Sequence, residues 1–180
     1  MNENPFELDV VSVRLVKDAP LYSDEPLNNP KKVVEALGKE LSEMDREVIC
    51  IVNMTTKSVP INCTFASMGV LDASMTVPRE LLKASILSNA AGVIMLHNHP
   101  SGDPTPSEAD LKITARVGVA CEYLGIDLLD HIIVGGRTEQ YYSFNENHIL
   151  QDALLARQQA ERTQKGMERE LIAAEKGRAR

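Results

Sequence analysis

Residues Ala90 to Asp110 read AAGVIMLHNHPSGDPTPSEAD. The run Val93-Ile94-Met95-Leu96 is apolar without alternation, and the turn formers Pro100, Gly102, Asp103 and Pro104 follow it. This predicts a short strand buried on both faces, and such a strand needs a covering layer on each side. One helix is expected upstream, from Pro78 through Asn89. Another is expected downstream from Thr105, where Pro106 takes the first helical position and Thr105 and Glu108 stand three apart as a capping box. Ile113, Val117, Ala120, Cys121 and Leu124 form the apolar stripe of the downstream helix, and Gly125 ends it. Helix, buried strand and helix in succession point to a layered α/β core.

Outward from this centre, Glu47 to Met54 (EVICIVNM) supplies β-branched residues for a central strand, and Asn62 to Met68 an antiparallel neighbour. Asn29 caps an earlier helix with Pro30 at its first position, and Val33, Leu37, Leu41 and Met44 recur along one face. Leu8 to Val16 alternates, Val11, Val13 and Leu15 against Ser12 and Arg14, which predicts a half-buried strand. On the other side, Ile126 to Val134 reads as a strand, Gly135-Gly136 as the opening of a hairpin and Tyr141 to Phe144 as its return. The expected fold class is α/β, a layered mixed β-sheet flanked by helices. After Leu150 the apolar stripes end and the composition turns to Ala, Gln, Glu, Lys and Arg. Residues 151–180 hold seven bases and five acids, so they are net positive in a chain that totals −7. They predict a C-terminal helical tail with three readings: a solvated or frayed helix, a self-association helix that would make an oligomer, or an anchor for an acidic partner.

Composition narrows the function. Twenty-six acids against 19 bases, no Trp and only 4% aromatic residues leave the wrong charge for a phosphate backbone and little surface for stacking bases, so direct nucleic-acid binding is not expected. Cys50, Cys63 and Cys121 are odd in number and far apart, which excludes a disulfide framework and a CxxC zinc site. Met1 to Asp9 lacks the apolar segment of a signal peptide, and the longest apolar run, Ala90 to Leu96, is too short to span a bilayer. A cytoplasmic location without membrane contact is expected.

The chemistry concentrates in His97 to Asp110. His97 and His99 are two apart at the end of the buried strand, so continued strand geometry aims both imidazoles from one face. The intervening turn is long enough for the chain to reverse, and Ser107 and Asp110, three apart at the start of a helix, would look back at the strand end. Two neutral imidazoles and one carboxylate with room for a fourth ligand describe an open zinc site of the catalytic kind. Zinc held there would bring the pKa of a bound water toward about 7, and Ser107 could donate to a developing oxyanion. The alternative is a turn made rigid by hydrogen bonds alone. HExxH, Walker A and GxGxxG patterns are missing.

The pattern His97-x-His99-Pro100, six residues, then Ser107-x-x-Asp110 resembles the zinc motif of the JAMM (JAB/MPN+) metallopeptidases. The strings VPREL (77–81), HNHPSGDPTPSEAD (97–110) and LLDHIIVG (128–135) are similar to the RadC family within that clan. The resemblance covers residues 46–146 and implies a JAB/MPN fold, cytidine-deaminase-like. A strand and helix in 1–45 would lead into it and the charged tail, 147–180, would follow; residues 1–45 show no helix-hairpin-helix pair of the kind that precedes the domain in full-length RadC proteins. The resemblance implies one zinc per chain on His97, His99 and Asp110, Ser107 as hydrogen bonder to the transition state, and a peptide or protein substrate. JAMM enzymes also carry a glutamate on an upstream strand as general base, and alignment on Gly69 and on the PRE at 78–80 puts Thr64 at that position. Between Glu47 and His97 the acids are Asp72 and Glu80; Glu80 is the remaining candidate base, and the first turn of its helix is its alternative setting. His131, beside Asp130, reads either as a hydrogen-bonded structural histidine or as a group behind the site, and Cys63 is a soft-ligand candidate. Two functions follow. One is a zinc-dependent hydrolase of the metallopeptidase or isopeptidase type, supported by Ser107. The other, supported by Thr64, is a non-catalytic zinc-binding module acting through partners in DNA repair or mobile-element processes.

Overall fold

The computed structural model describes residues 12–18, 27, 29–68, 77–136, 140–155 and 159. Asn29 caps the first helix, α1 (Pro30–Ser42), by accepting from the Lys32 N–H at 3.0 Å, while Pro30, with no N–H to satisfy, enters the first turn. The chain then runs through β1 (Val48–Met54), β2 (Pro60–Met68), α2 (Pro78–Leu81), α3 (Lys83–Leu87), β3 (Gly92–His99), α4 (Glu108–Leu124), β4 (Asp127–Gly135) and β5 (Tyr141–Ser143). The strands form one sheet in the order β2-β1-β3-β4-β5. β3 and β4 pair in parallel, with α4 as the crossover, and the other pairs are antiparallel. This is the mixed, helix-flanked α/β sheet of a JAB/MPN fold.

Each sheet face has its own apolar layer, as the unalternating strands require. On one face α1 sets Val33, Leu37 and Leu41 against Cys50, Val52, Leu96 and Val134. On the other, Leu81, Leu82, Ile113 and Val117 of the remaining helices cover Ile49, Ile51, Val93 and Met95. β1 is buried along its whole length, and β3 as far as Asn98.

Three expectations change. The helix expected from Pro78 to Asn89 is two short ones, broken at Leu82 (φ −96°, ψ 4°). A regular helix splays neighbouring side chains by about 100°, and the break lets Leu81 and Leu82 both enter one core cluster. The strand expected over Leu8 to Val16 has no sheet partner over residues 12–18, where Val13 and Val16 are exposed; an alternating pattern makes a strand only where an edge takes up its hydrogen bonds. Leu8 to Val11 lie outside the described residues. Third, the apolar packing does not end at Leu150. Residues 150–155 are helical, Leu150 is buried with Ile133 and Phe144, and Leu154 lies so close over Gly118 of α4 that an added Cβ would meet its Cδ2 at 2.0 Å. The rest of the tail, except residue 159, lies outside the described residues. Among the described residues no helix is long and apolar enough to cross a membrane.

Leu154→Ala should therefore lower stability by about 1 kcal/mol, the share expected of a half-buried leucine, and a chain ended at Leu150 should lose at least as much. Chemical denaturation measures both, and an unchanged midpoint would show that this turn does not dock on α4.

Candidate metal centre

β3 continues as a strand through His99, so His97 and His99 do share a face. Beyond the strand the chain is held by its own hydrogen bonds. The His99 carbonyl accepts from Gly102 N at 3.0 Å and from Gly136 N at 2.8 Å. Gly136 has φ 22°, and a Cβ there would meet the carbonyl oxygens of Pro100 and His99 at 3.1 and 3.2 Å, so glycine permits the close approach that fixes the loop. The Asp103 carboxylate accepts from Thr105 N at 2.9 Å, which leaves Thr105 outside the helix. The cap is Ser107 instead, two residues later than expected. Its Oγ accepts from Asp110 N at 3.2 Å, and Asp110 Oδ2 accepts from Ser107 N at 2.7 Å and from Ser107 Oγ at 2.6 Å. The capping acid of α4 is thus also the acid of the cluster.

His97 Nε2 and His99 Nε2 are 2.9 Å apart. Asp110 Oδ1 stands 3.1 Å from the first, and Oδ2 stands 3.4 Å from the second. One ligand atom from each residue falls within a 4.8 Å group that could hold a metal ion. His99 Nδ1 lies 2.8 Å from the Asp103 carbonyl oxygen. A carbonyl only accepts, so Nδ1 carries the proton and the neutral ring presents an Nε2 lone pair to the carboxylate. Acceptors this close, with His97 and Asp110 buried, need a positive partner between them. A proton is one answer. The hydrogen bond to Asp110 raises the pKa of His99 against its partial burial, while burial lowers that of His97. Burial opposes ionisation of Asp110, but the hydrogen bonds to His97 and His99 overcome it and hold the carboxyl well below its usual range. A divalent cation is the other answer, and two imidazole nitrogens with one carboxylate oxygen are a fitting donor set for zinc.

A second acid acts on the cluster, one that sequence reasoning did not single out. Glu47 immediately precedes β1, whose Ile49 pairs with His97. By alternation Glu47 falls on the same face, and its charge acts on both His97 and His99. Asn98, buried between the two histidines, holds the backbone on either side of it: Oδ1 accepts from Val48 N at 2.8 Å and Nδ2 donates to Arg46 O at 3.0 Å. The available signal was an acid at the mouth of a largely apolar, fully buried strand, but the strand register that gives it meaning is not written locally.

The other site residues are distributed as follows. Thr64 pairs with Ile51 on the far side of β1, one row from the Ile49–His97 pair, so its backbone stands about 10 Å from β3 at two strand spacings. Glu80 is exposed on α2 and pairs with Lys83 and Arg79, and its hydrogen bond to Lys83 lowers its pKa. Cys63 packs on the α1 side of the sheet with Cys50 and Val52, the face opposite His97, and is not brought to the cluster. His131 is fully buried directly behind His97, its Nε2 2.8 Å from His97 Nδ1.

A helix-flanked mixed sheet with two imidazoles at the end of its central strand, and a carboxylate where the crossover helix begins, defines a JAB-type domain with a candidate metal centre. The model of the RadC-like JAB domain matches residues 27–149, and the chain belongs to that family. Similar proteins include UPF0758 proteins of Desulfitobacterium hafniense, 39% identical over 124 residues (69% of this chain, 54% of the relative), and of Moorella thermoacetica, 41% over 125 residues (69% and 53%). Another, from Thermotoga maritima, is 42% identical over 112 residues (62% and 50%). The chain spans about half the length of these curated relatives.

The two positive partners compete, which fixes a pH dependence. The raised pKa of His99 stabilises the metal-free fold below about pH 6.5, the unfolded value, and this is lost as pH rises through the folded value. The depressed pKa of Asp110 stabilises it above about pH 3.9, and that is lost as pH falls through the folded value. Zinc must displace the His99 proton, so saturating Zn2+ should raise Tm more at pH 8 than at pH 6. An equal or smaller shift at pH 8 would exclude His99 as a ligand.

Proposed function

We propose that the chain is a zinc-dependent amide hydrolase of the metallopeptidase type, cleaving peptide or isopeptide bonds of a peptide or protein substrate in the cytoplasm. The observation that carries this reading is the convergence of His97 Nε2, His99 Nε2 and Asp110 on one point, with Glu47 on the same sheet face. Zinc bound there supplies a Lewis acid that polarises the scissile carbonyl and acidifies water. Glu47 is the general base in this reading. Its carboxylate accepts a proton from the attacking water and returns it to the leaving nitrogen. Thr64 and Glu80 then have no part in proton transfer, and the missing acid at position 64 is no argument against activity. Ser107 holds Asp110 Oδ2 and turns its hydroxyl proton to the oxyanion as the charge forms there.

A second reading, a non-catalytic zinc module working through partners in DNA repair or mobile-element processes, draws support from that same bond, because the Ser107 hydroxyl proton is engaged at 2.6 Å. Glu47→Gln separates the two. It should keep close to one zinc per chain by elemental analysis and lower zinc-dependent amide hydrolysis by about 10²–10⁴-fold, while Thr64→Glu leaves the rate unchanged. A zinc-loaded wild type that cleaves no amide in a broad peptide library would favour the module.

A further inference from the structure

Behind the cluster, on the side away from solvent, four groups form a continuous chain of hydrogen bonds. Thr114 of α4 and His131 of β4 are both completely buried. Thr114 Oγ1 lies 2.6 Å from the Asp110 carbonyl oxygen and 2.6 Å from His131 Nδ1. His131 Nε2 lies 2.8 Å from His97 Nδ1. Phe144 stacks on the His131 ring at 4.5 Å between centroids and limits its rotation.

The proton positions along this chain follow from counting donors. A hydroxyl has one proton, and the Asp110 carbonyl can only accept, so the Thr114 proton goes there. Thr114 must then accept from His131 Nδ1–H. A neutral His131 protonated at Nδ1 has a lone pair at Nε2, and that lone pair must accept from His97 Nδ1–H. The proton of neutral His97 is thereby committed to the buried side, and its Nε2 lone pair faces His99 and Asp110.

We propose that Thr114 and His131 are positioning residues that lock His97 in its Nδ1–H tautomer, with a helix carbonyl as the fixed end of the relay. The inference rests on the zinc reading only for its consequence, that the lone pair so aimed is a metal ligand. A metal-bound imidazole is ordinarily oriented by a carboxylate, carbonyl or water at its other nitrogen. Here a second imidazole takes that place, and it transmits the choice of tautomer from the main chain of α4, whose first turn also carries Asp110. Two of the three ligands of that reading, His97 on β3 and Asp110 on α4, are thus set by one helical turn.

The test uses Thr114→Val, which keeps shape and removes the hydroxyl, His131→Phe, which keeps an aromatic ring on Phe144, and Thr114→Ser, which restores the hydroxyl. Zinc affinity by competition titration should fall about tenfold to a hundredfold in the first two and return to the wild-type value in Thr114→Ser. Ring-nitrogen NMR of the metal-free protein at pH 8 should find the His97 proton on Nδ1 in the wild type and Thr114→Ser, and redistributed in Thr114→Val. That signature would not move if Thr114 only filled space. An unchanged His97 tautomer in Thr114→Val, with unchanged affinity, would overturn the inference. If the wild type binds no zinc while its tautomer still depends on Thr114, the relay stands and the zinc reading fails.

Discussion

Acceptor atoms do not gather in a protein interior without a positive charge to hold them. His97 Nε2, His99 Nε2 and Asp110 lie within 3.4 Å of one another along each measured contact, at the C-terminal end of the central strand, and much of the surrounding structure is intelligible as the means of keeping them there. β3 supplies the two imidazoles because it lies between β1 and β4 and is fixed on both edges. The loop after it is fastened at the His99 carbonyl by two N–H groups, one of them from the far end of β4. The cluster is therefore preorganised by a strand held on both edges, a loop tied beside the end of β4 and a capped helix, a condition that sites built on mobile loops do not meet.

Asn98 gives this arrangement its reach. Alternation places its side chain on the opposite side of the strand from the histidines, and from there it spans to the adjoining chain, replacing main-chain ladder bonds beside Val48 and Arg46. One residue between the two cluster histidines thus sets the entry into β1, and with it the residue that precedes β1, Glu47. The histidine pair and Glu47 are thus linked through a side-chain bridge within the sheet.

Local signals carried most of the fold into the sequence. The N-cap Asn29 with Pro30, the apolar run of β3 and the glycine at the end of α4 were all legible, since each depends on neighbours within a few residues. His97, His99 and Asp110 were legible for the same reason: a strand period of two and an S-x-x-D turn suffice to aim them. What the sequence hid was non-local. Glu47 acquires its place from register with β3, 50 residues away, and Thr64 reads as its substitute only if the strand that holds the acid is taken to be β2. Two capping patterns overlap in the sequence, Thr105 with Glu108 and Ser107 with Asp110, and the competing hydrogen bond that Thr105 N–H donates to the Asp103 carboxylate decides between them. The docking of Leu154 is hidden as well, because Leu154 fills the space left by the absent side chain of Gly118, and a space left by glycine has no periodic signature.

Asp110 shows why the fold need not wait for a metal. In small zinc-nucleated domains the ligands have no other structural tie, and folding free energy comes from the ion. Here the carboxylate is already bound twice at Oδ2, by the N–H and the hydroxyl of Ser107, and it lies in the first turn of a 17-residue helix whose positive end favours an anion. α4 in turn is held by Ile113, Val117 and Cys121 in the core. Apolar burial sets the helix, the helix cap sets the carboxylate, and Oδ1 is left aimed at His97. A cation would come last in this order of causes, entering a geometry that the hydrophobic core and the helix cap have already set.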